Sequence, residues 1–365
     1  MQRWGFLVPR QINSSKRAKG ETMRNCKTFT VLLLALICLV PAASVWAQTS
    51  LNGAGATFPY PMYSKWFNEY RKVKPDISIN YQSIGSGGGI RQVTEGTVDF
   101  GATDGPMTDE QIAVFKQKRG TMILHFPTVL GADVPAYNVP GITATLNFTP
   151  EALAGIFLGR VTKWNDPLIA SSNPNVKLPG SNIIVVHRSD GSGTTYVWTD
   201  YLSKVSSEWQ QRVGKGTSVS WPVGLGAKGN EGVAGMTRQM PGTIGYVELI
   251  YAVQNRMLYG NVRNSSGNFV QADLASVTAA ASGAAVPDDF RVSITNAPGK
   301  DAYPVSSFTW LLIPQNIKDS TKKEVIKGFL NWMLTDGQTL TSGLAYAPLP
   351  KGLVAREQKA IAKIQ

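Results

Sequence analysis

Four times in this 365-residue chain a glycine cluster stands where a strand-like run gives way to a helix-like one. Gly53-Ala54-Gly55-Ala56-Thr57-Phe58-Pro59 precedes Met62, Trp66, Phe67 and Tyr70, whose spacing predicts a helix over 61–73. Gly85-Ser86-Gly87-Gly88-Gly89-Ile90 follows Ile77-Ser78-Ile79-Asn80-Tyr81, which alternates as a strand does, and precedes a helix expected at about 88–95. Asp99-Phe100-Gly101-Ala102-Thr103-Asp104-Gly105 comes before a helix near 108–118, and Arg188-Ser189-Asp190-Gly191-Ser192-Gly193-Thr194-Thr195 links the apolar run 183–186 to a helix at about 192–204. Further helices are expected at 149–158, opened by Thr149 and Pro150, and near 229–239, 319–334 and 355–364; the stretch around 280–300 reads as loop. This mixture predicts an α/β architecture with open sheets, and the length allows about two domains. The 36 glycines and 21 prolines follow no fixed period, which excludes a collagen-like or low-complexity chain.

The chemistry of such loops is anion binding. Glycine lets the backbone approach a ligand and turn successive N–H groups inward, and a helix start carries unpaired N–H donors and a partial positive charge. Ser and Thr hydroxyls add donors, and the Arg188 guanidinium offers a fork that fits a tetrahedral oxyanion. Each cluster alone also reads as a plain turn; the fourth is the strongest because Arg, Ser, Gly and Thr stand together. There is no Gly-x-x-x-x-Gly-Lys-Ser/Thr loop and no Gly-x-Ser-x-Gly elbow, so neither a nucleoside triphosphatase nor a hydrolase of that type is supported. Two histidines and two cysteines are too few for a zinc finger or a disulfide framework. Of the histidines, His187 reads as structural and His125 carries no motif. Asp104 is the oddity. A carboxylate repels an anion unless the guest carries a proton it can accept, which hydrogen phosphate does and sulfate does not. An unpaired buried acceptor costs about 1–3 kcal/mol, so it discriminates tenfold to hundredfold. Asp104 equally reads as a turn residue ahead of Gly105-Pro106.

Residues 1–47 differ from the rest. Arg24 and Lys27 precede the apolar run 29–40, and small residues lead to Val45-Trp46-Ala47, the order of a secretory signal peptide. The run is shorter than the ~20 residues of a membrane span. Cleavage is expected after Ala47, and residues 1–22 read as an overlong gene start ahead of Met23. Both cysteines, Cys26 and Cys38, lie in this leader, and Leu36-Ile37 before Cys38 does not fit a lipoprotein signal. The expectation is a periplasmic, soluble protein without a lipid anchor that folds without disulfides, as a chain this large can. Seven of the 36 basic residues and one of the 24 acidic ones lie in the leader, leaving 29 and 23, net +6. That modest excess gives little support to a nucleic-acid partner.

Together the segments 53–59, 81–89, 98–104, 188–195, Trp221–Gly232 and Gly245-Tyr246-Val247-Glu248 resemble the periplasmic phosphate-binding proteins of phosphate-specific ABC transporters, from Leu51 to about Leu349. The resemblance implies a two-lobed periplasmic-binding-protein fold with a double-crossover hinge and a ligand cleft between the lobes. It implies lobe one at 48–138 plus 303–365 and lobe two at 139–302. Carried onto matching positions, the phosphate donors are Thr57, Phe58 (through its backbone N–H), Ser86, Arg188, Ser192, Gly193 and Thr194. Asp104 matches the carboxylate that accepts the phosphate proton, and Asp190 the acid that holds the guanidinium. His187 and Thr103 stand where the family often has a second basic residue and a Ser; neither is a ligand position. The implied partners are inorganic phosphate and the permease and ATPase subunits of an importer, with no nucleic acid, for a monomer needing no cofactor or metal. The competing readings are a secreted phosphatase using Ser192 or Ser86, a binder of another oxyanion such as sulfate, and a scaffolding protein of the same fold.

Overall fold

The computed structural model describes residues 48–365, so the expected leader lies outside the described residues. The strands are β1 (Thr49–Gly55), β2 (Ile77–Ser83), β3 (Phe100–Thr103), β4 (Ile123–Asn138), β5 (Asn147–Phe148), β6 (Ile184–Arg188), β7 (Leu225–Ala227), β8 (Thr243–Glu248), β9 (Leu258–Tyr259), β10 (Asn261–Arg263), β11 (Phe269–Val270) and β12 (Ser306–Pro314). Nine of them join in the order β2-β1-β3-β12-β4-β8-β6-β7, with β9 also on β4; β11, β10 and β5 form a small separate sheet.

The long strand β4 divides the large sheet into two halves. Its residues 123–132 pair antiparallel with β12, and from Asp133 onward it pairs with β8 instead. One half holds β1, β2 and β3 in parallel, with β12 antiparallel beside β3; the other holds β8, β6 and β7 in parallel. The chain returns to the first half beside the same point: Asp133 N–H donates to Val305 O at 2.9 Å, and Tyr303 Oη donates to Asp133 O at 2.9 Å. The result is a two-lobed α/β fold with adjacent crossings. Residues 133–138 thus hydrogen-bond into the second half, six residues ahead of the crossing that the resemblance implied at 138/139.

β8 and β12 are buried throughout and β4 at nearly every position, as strands covered on both faces are. Pro127, which cannot donate to a ladder, sits where the β4–β12 register skips a residue opposite Thr309 and Trp310. In the first lobe Tyr63, Trp66, Phe67 and Tyr70, one face of the helix Tyr60–Val73, pack with Tyr81, Phe100 and Phe329. In the second, Trp198 and Trp221 stack on Tyr246, with Phe157 tilted against them. Each fully buried ring among them contributes roughly 1.5–3 kcal/mol.

The helices expected from periodicity form, at Tyr60–Val73, Asp109–Arg119, Pro150–Phe157, Gly193–Val205, Gly229–Gln239 and Ser320–Leu334. Thr149 caps its helix, accepting the Ala152 N–H at 3.1 Å, with Pro150 in the first turn. Two expectations shift. The last helix runs Lys351–Ala360, four residues earlier than expected. The second glycine cluster is not a loop ahead of its helix: the helix is Ser86–Glu95, and Gly87–Gly89 form its first turn. Packing explains this, because a Cβ on Gly89 would overlap the backbone of Gly55 and Ala54, so only glycine lets the helix lie this close to β1.

Candidate functional site

Each glycine cluster delivers its polar residues just past the end of a strand. β1 ends at Gly55 and hands on Thr57 and Phe58; β3 ends at Thr103 and hands on Asp104. β2 is followed by the helix that begins with Ser86, and β6 ends on Arg188, with Ser192 capping the helix that starts at Gly193. These residues converge. The Asp104 N–H donates to Ser86 Oγ at 3.2 Å. A Cβ placed on Gly193, in the other lobe, would overlap both Asp104 Oδ2 and Ser86 Oγ. The lobes are joined by Gly87 N–H donating to Gly191 O at 2.9 Å, and by the buried bond from Tyr251 Oη to Thr57 O at 2.6 Å. Thr57, Phe58, Ser86, Asp104, Arg188, Ser192, Gly193 and Thr194 are all buried.

The donors are arranged so that they remain available. Gly193 and Thr194 occupy the first two positions of a 13-residue helix, where the helix supplies no carbonyl for their N–H groups. Ser192 Oγ accepts the Thr195 N–H at 3.0 Å, which leaves its own proton to donate. Asp190 holds the guanidinium of Arg188 through Nε at 2.7 Å and Nη2 at 2.6 Å, and also accepts the Gly229 N–H at 3.0 Å. Burial works against the Arg188 charge, but the hydrogen bonds and charge of Asp190 outweigh it and hold its pKa above the usual value. Burial likewise opposes ionisation of Asp190, and Arg188 reverses that, holding its carboxyl below the usual range. The pair is therefore ionic and nearly neutral in sum, so a guest anion would be held by helix starts and N–H dipoles as much as by net charge.

Asp104 stands apart. Burial pushes its carboxyl up to about 7, partly offset by a hydrogen bond from Thr309 and by Arg188. Its Oδ1 accepts Thr309 Oγ1–H at 2.8 Å; its buried Oδ2 has no hydrogen-bond donor among the described residues. This is the oxygen that faces Gly193.

Several residues in the site carried no sequence signal of their own. Tyr246 Oη accepts the Arg188 N–H at 3.1 Å and bonds Thr195 Oγ1 at 2.6 Å. Asn230 bonds both Thr57 and Thr194. Thr309 comes from β12, some 200 residues beyond Asp104. Asn230 and Tyr246 lie inside the segments 221–232 and 245–248 singled out above, but no local rule gives them a role. Two further carboxyls, Asp133 and Glu248, face each other in the β4–β8 register and are fully buried. Burial foremost holds both well above the usual carboxylate range, which keeps two more negative charges away from the site.

The histidines are elsewhere. His187 stacks on Trp221 at a centroid distance of 4.8 Å, with Nδ1 3.0 Å from Arg188 O. His125 is buried, accepts the Met107 N–H on Nε2 at 3.2 Å, and is pushed down to about 3, chiefly by burial. Among the described residues no group of three or more His, Cys, Asp or Glu is placed to hold a metal ion, and no helix is long and apolar enough to cross a membrane.

With this geometry in place, known proteins can be compared. The sequence matches the PBP superfamily domain over residues 42–337. It is 45% identical over 317 residues to the phosphate-binding protein PstS of Xylella fastidiosa (strain Temecula1), covering 86% of this chain and 85% of that one. The chain belongs to the PstS phosphate-binding protein family. Another PstS, from Pasteurella multocida (strain Pm70), is 43% identical over 334 residues, 91% of this chain and 95% of its own. Among solved structures, the high affinity periplasmic phosphate-binding protein PfluDING bound with phosphate has a TM-score of 0.68 at 22% identity, over 85% of this chain and 93% of that one. At that identity the likeness carries the fold, and the PstS relatives carry the family.

Proposed function

We propose that this chain captures inorganic phosphate in the periplasm and delivers it to the permease of an ABC-type importer driven by ATPase subunits, acting as a monomer and without catalysis. The observation that carries the reading is the meeting of Asp104 Oδ2 and Ser86 from one lobe with Gly193 from the other. A buried acceptor among so many donors is useful for a guest that is both a tetrahedral anion and a proton donor. Hydrogen phosphate meets both conditions; sulfate leaves the acceptor facing an unprotonated oxygen, at a cost of about 1–3 kcal/mol or more. The names of the PstS relatives support the same ligand.

In this reading Thr57, Ser86, Ser192 and Thr194 donate hydroxyl protons, Phe58, Gly193 and Thr194 donate backbone N–H groups, Arg188 donates charge-assisted bonds, and Asp104 accepts. Contacts from both lobes to one guest favour their approach, a population shift that presents a distinct shape to the permease. The lobe division follows the sheet partners, with the first crossing at 132/133 and the return near 303. Residues 1–47 direct export and are removed, which N-terminal sequencing of the exported protein tests by finding Gln48 first. Against a phosphatase stands the lack of a histidine base: Ser86 and Ser192 accept backbone N–H groups, and neither histidine bonds them.

Titration calorimetry with inorganic phosphate and with sulfate tests the function. Tight one-to-one phosphate binding with sulfate at least tenfold to hundredfold weaker is expected; no phosphate heat, or turnover of a phosphate ester lost in Ser192→Ala, contradicts it.

A further inference from the structure

Asn230 is fully buried where the two lobes meet. Its own contacts fix which way its amide points. Oδ1 accepts the Glu248 N–H at 3.0 Å, so the NH2 end faces the opposite side. There Nδ2 lies 2.8 Å from Thr57 Oγ1 and 2.9 Å from Thr194 Oγ1, one hydroxyl from each lobe. The Thr57 oxygen also receives the Asn230 backbone N–H at 3.3 Å, and the Thr194 oxygen receives Arg188 Nη1–H at 3.3 Å. A hydroxyl has two lone pairs and one proton. Here both lone pairs of both hydroxyls are engaged, and only their protons are left.

We propose, on the reading of this cleft as a phosphate site, that Asn230 is a positioning residue that turns Thr57 and Thr194 into obligate donors toward the guest. Asn230, Thr194 and Arg188 belong to one lobe and Thr57 to the other, so Thr194 is set within its own lobe and Thr57 only when the lobes come together. Guest oxygens facing these two hydroxyls must then be bare acceptors. The guest's proton is left to Asp104 Oδ2, since Asp104 Oδ1 is taken by Thr309. Selectivity for a singly protonated tetrahedral anion thus comes from two sides: Asp104 accepts the one proton, and Asn230 denies a second.

The test is Asn230→Asp, which keeps an acceptor for the Glu248 N–H and the shape of the side chain but offers an acceptor where the NH2 was. Thr57 and Thr194 then turn their protons toward residue 230 and their lone pairs toward the guest. Inorganic phosphate is titrated by calorimetry into the purified protein and its variants from about pH 6 to about pH 8, with melting temperatures followed in parallel. Relative to the unsubstituted protein, N230D is expected to bind at least ~100-fold more weakly at the upper end. The deficit shrinks as the pH falls, because a doubly protonated phosphate can donate to the reversed hydroxyls. In a second arm, Asn230→Ala costs about tenfold or more alone but little once Thr57 and Thr194 are both valine, because the hydroxyls it acts through are gone. A pH-independent loss in N230D, or an Asn230→Ala cost as large without the two hydroxyls as with them, overturns the proposal while leaving phosphate binding intact. An unsubstituted protein that binds no phosphate overturns the phosphate reading itself.

Discussion

Asp190 grips Arg188 at two points, Oδ1 on Nε at 2.7 Å and Oδ2 on Nη2 at 2.6 Å, and so presents the rest of the guanidinium to the start of the helix at Gly193. A buried cation held this way cannot swing out to another partner. Arg188→Ala is expected to fold but to lower phosphate affinity by about 2–5 kcal/mol, because the remaining donors are neutral. Asp190→Asn costs less, since its amide oxygen still accepts one of the two bonds. An unchanged dissociation constant for Arg188→Ala, measured by calorimetry, places the guanidinium outside the site.

The Asp104 carboxyl, pushed up to about 7 by burial, gives the site a pH dependence of definite sign. Above that value it is ionised and rejects a fully ionised guest; below it the group carries a proton and can donate one to sulfate. The preference for phosphate over sulfate is therefore expected to narrow as the pH falls through 7, and to be smaller and flatter in Asp104→Asn. The raised value also bears on stability without ligand. The stabilising proton is fully present below the unfolded-state value near 3.8 and is lost as the pH rises through 7, so the melting temperature of the free protein should decline over that window more than in Asp104→Asn. Equal losses of phosphate and sulfate affinity in Asp104→Asn would remove the proton-sensing role.

Gly193 is small because of what it faces. Its backbone is ordinary helix, where alanine is the better residue by about 1 kcal/mol, but a Cβ there would occupy the space between Asp104 Oδ2 and Ser86 Oγ. Gly193→Ala should push Asp104 and Ser86 aside, offsetting any helix-propensity gain in the melting temperature, and lose phosphate binding by at least ~100-fold. Retained affinity would show that the guest does not pass between the lobes at this point.

The elements and residues that the sequence disclosed have a common character: their information is local. Periodicity marks the helix Tyr60–Val73, and Thr149-Pro150 marks the start of another. Arg188 through Thr194 announce themselves because strand end, cation, hydroxyls and helix start are contiguous in seven residues. β4 was illegible for the opposite reason. Pro127, Gly131 and Pro135 read as strand breakers, and only the partner strands β12 and β8, each more than a hundred residues further on, absorb them through a register skip and a change of partner. Thr309 acquires its role from the placement of β12 and Asn230 from contacts to residues far off in the chain, so no window around either could disclose what it touches.

A crystal structure of the protein grown with inorganic phosphate tests the central claim most directly. The account predicts one phosphate within hydrogen-bonding distance of Thr57, Ser86, Arg188 and Thr194, with its protonated oxygen on Asp104 Oδ2 and its other oxygens on the Thr57 and Thr194 hydroxyls. A phosphate seated on one lobe alone, or with Asp104 and Thr194 on separate surfaces, would contradict it.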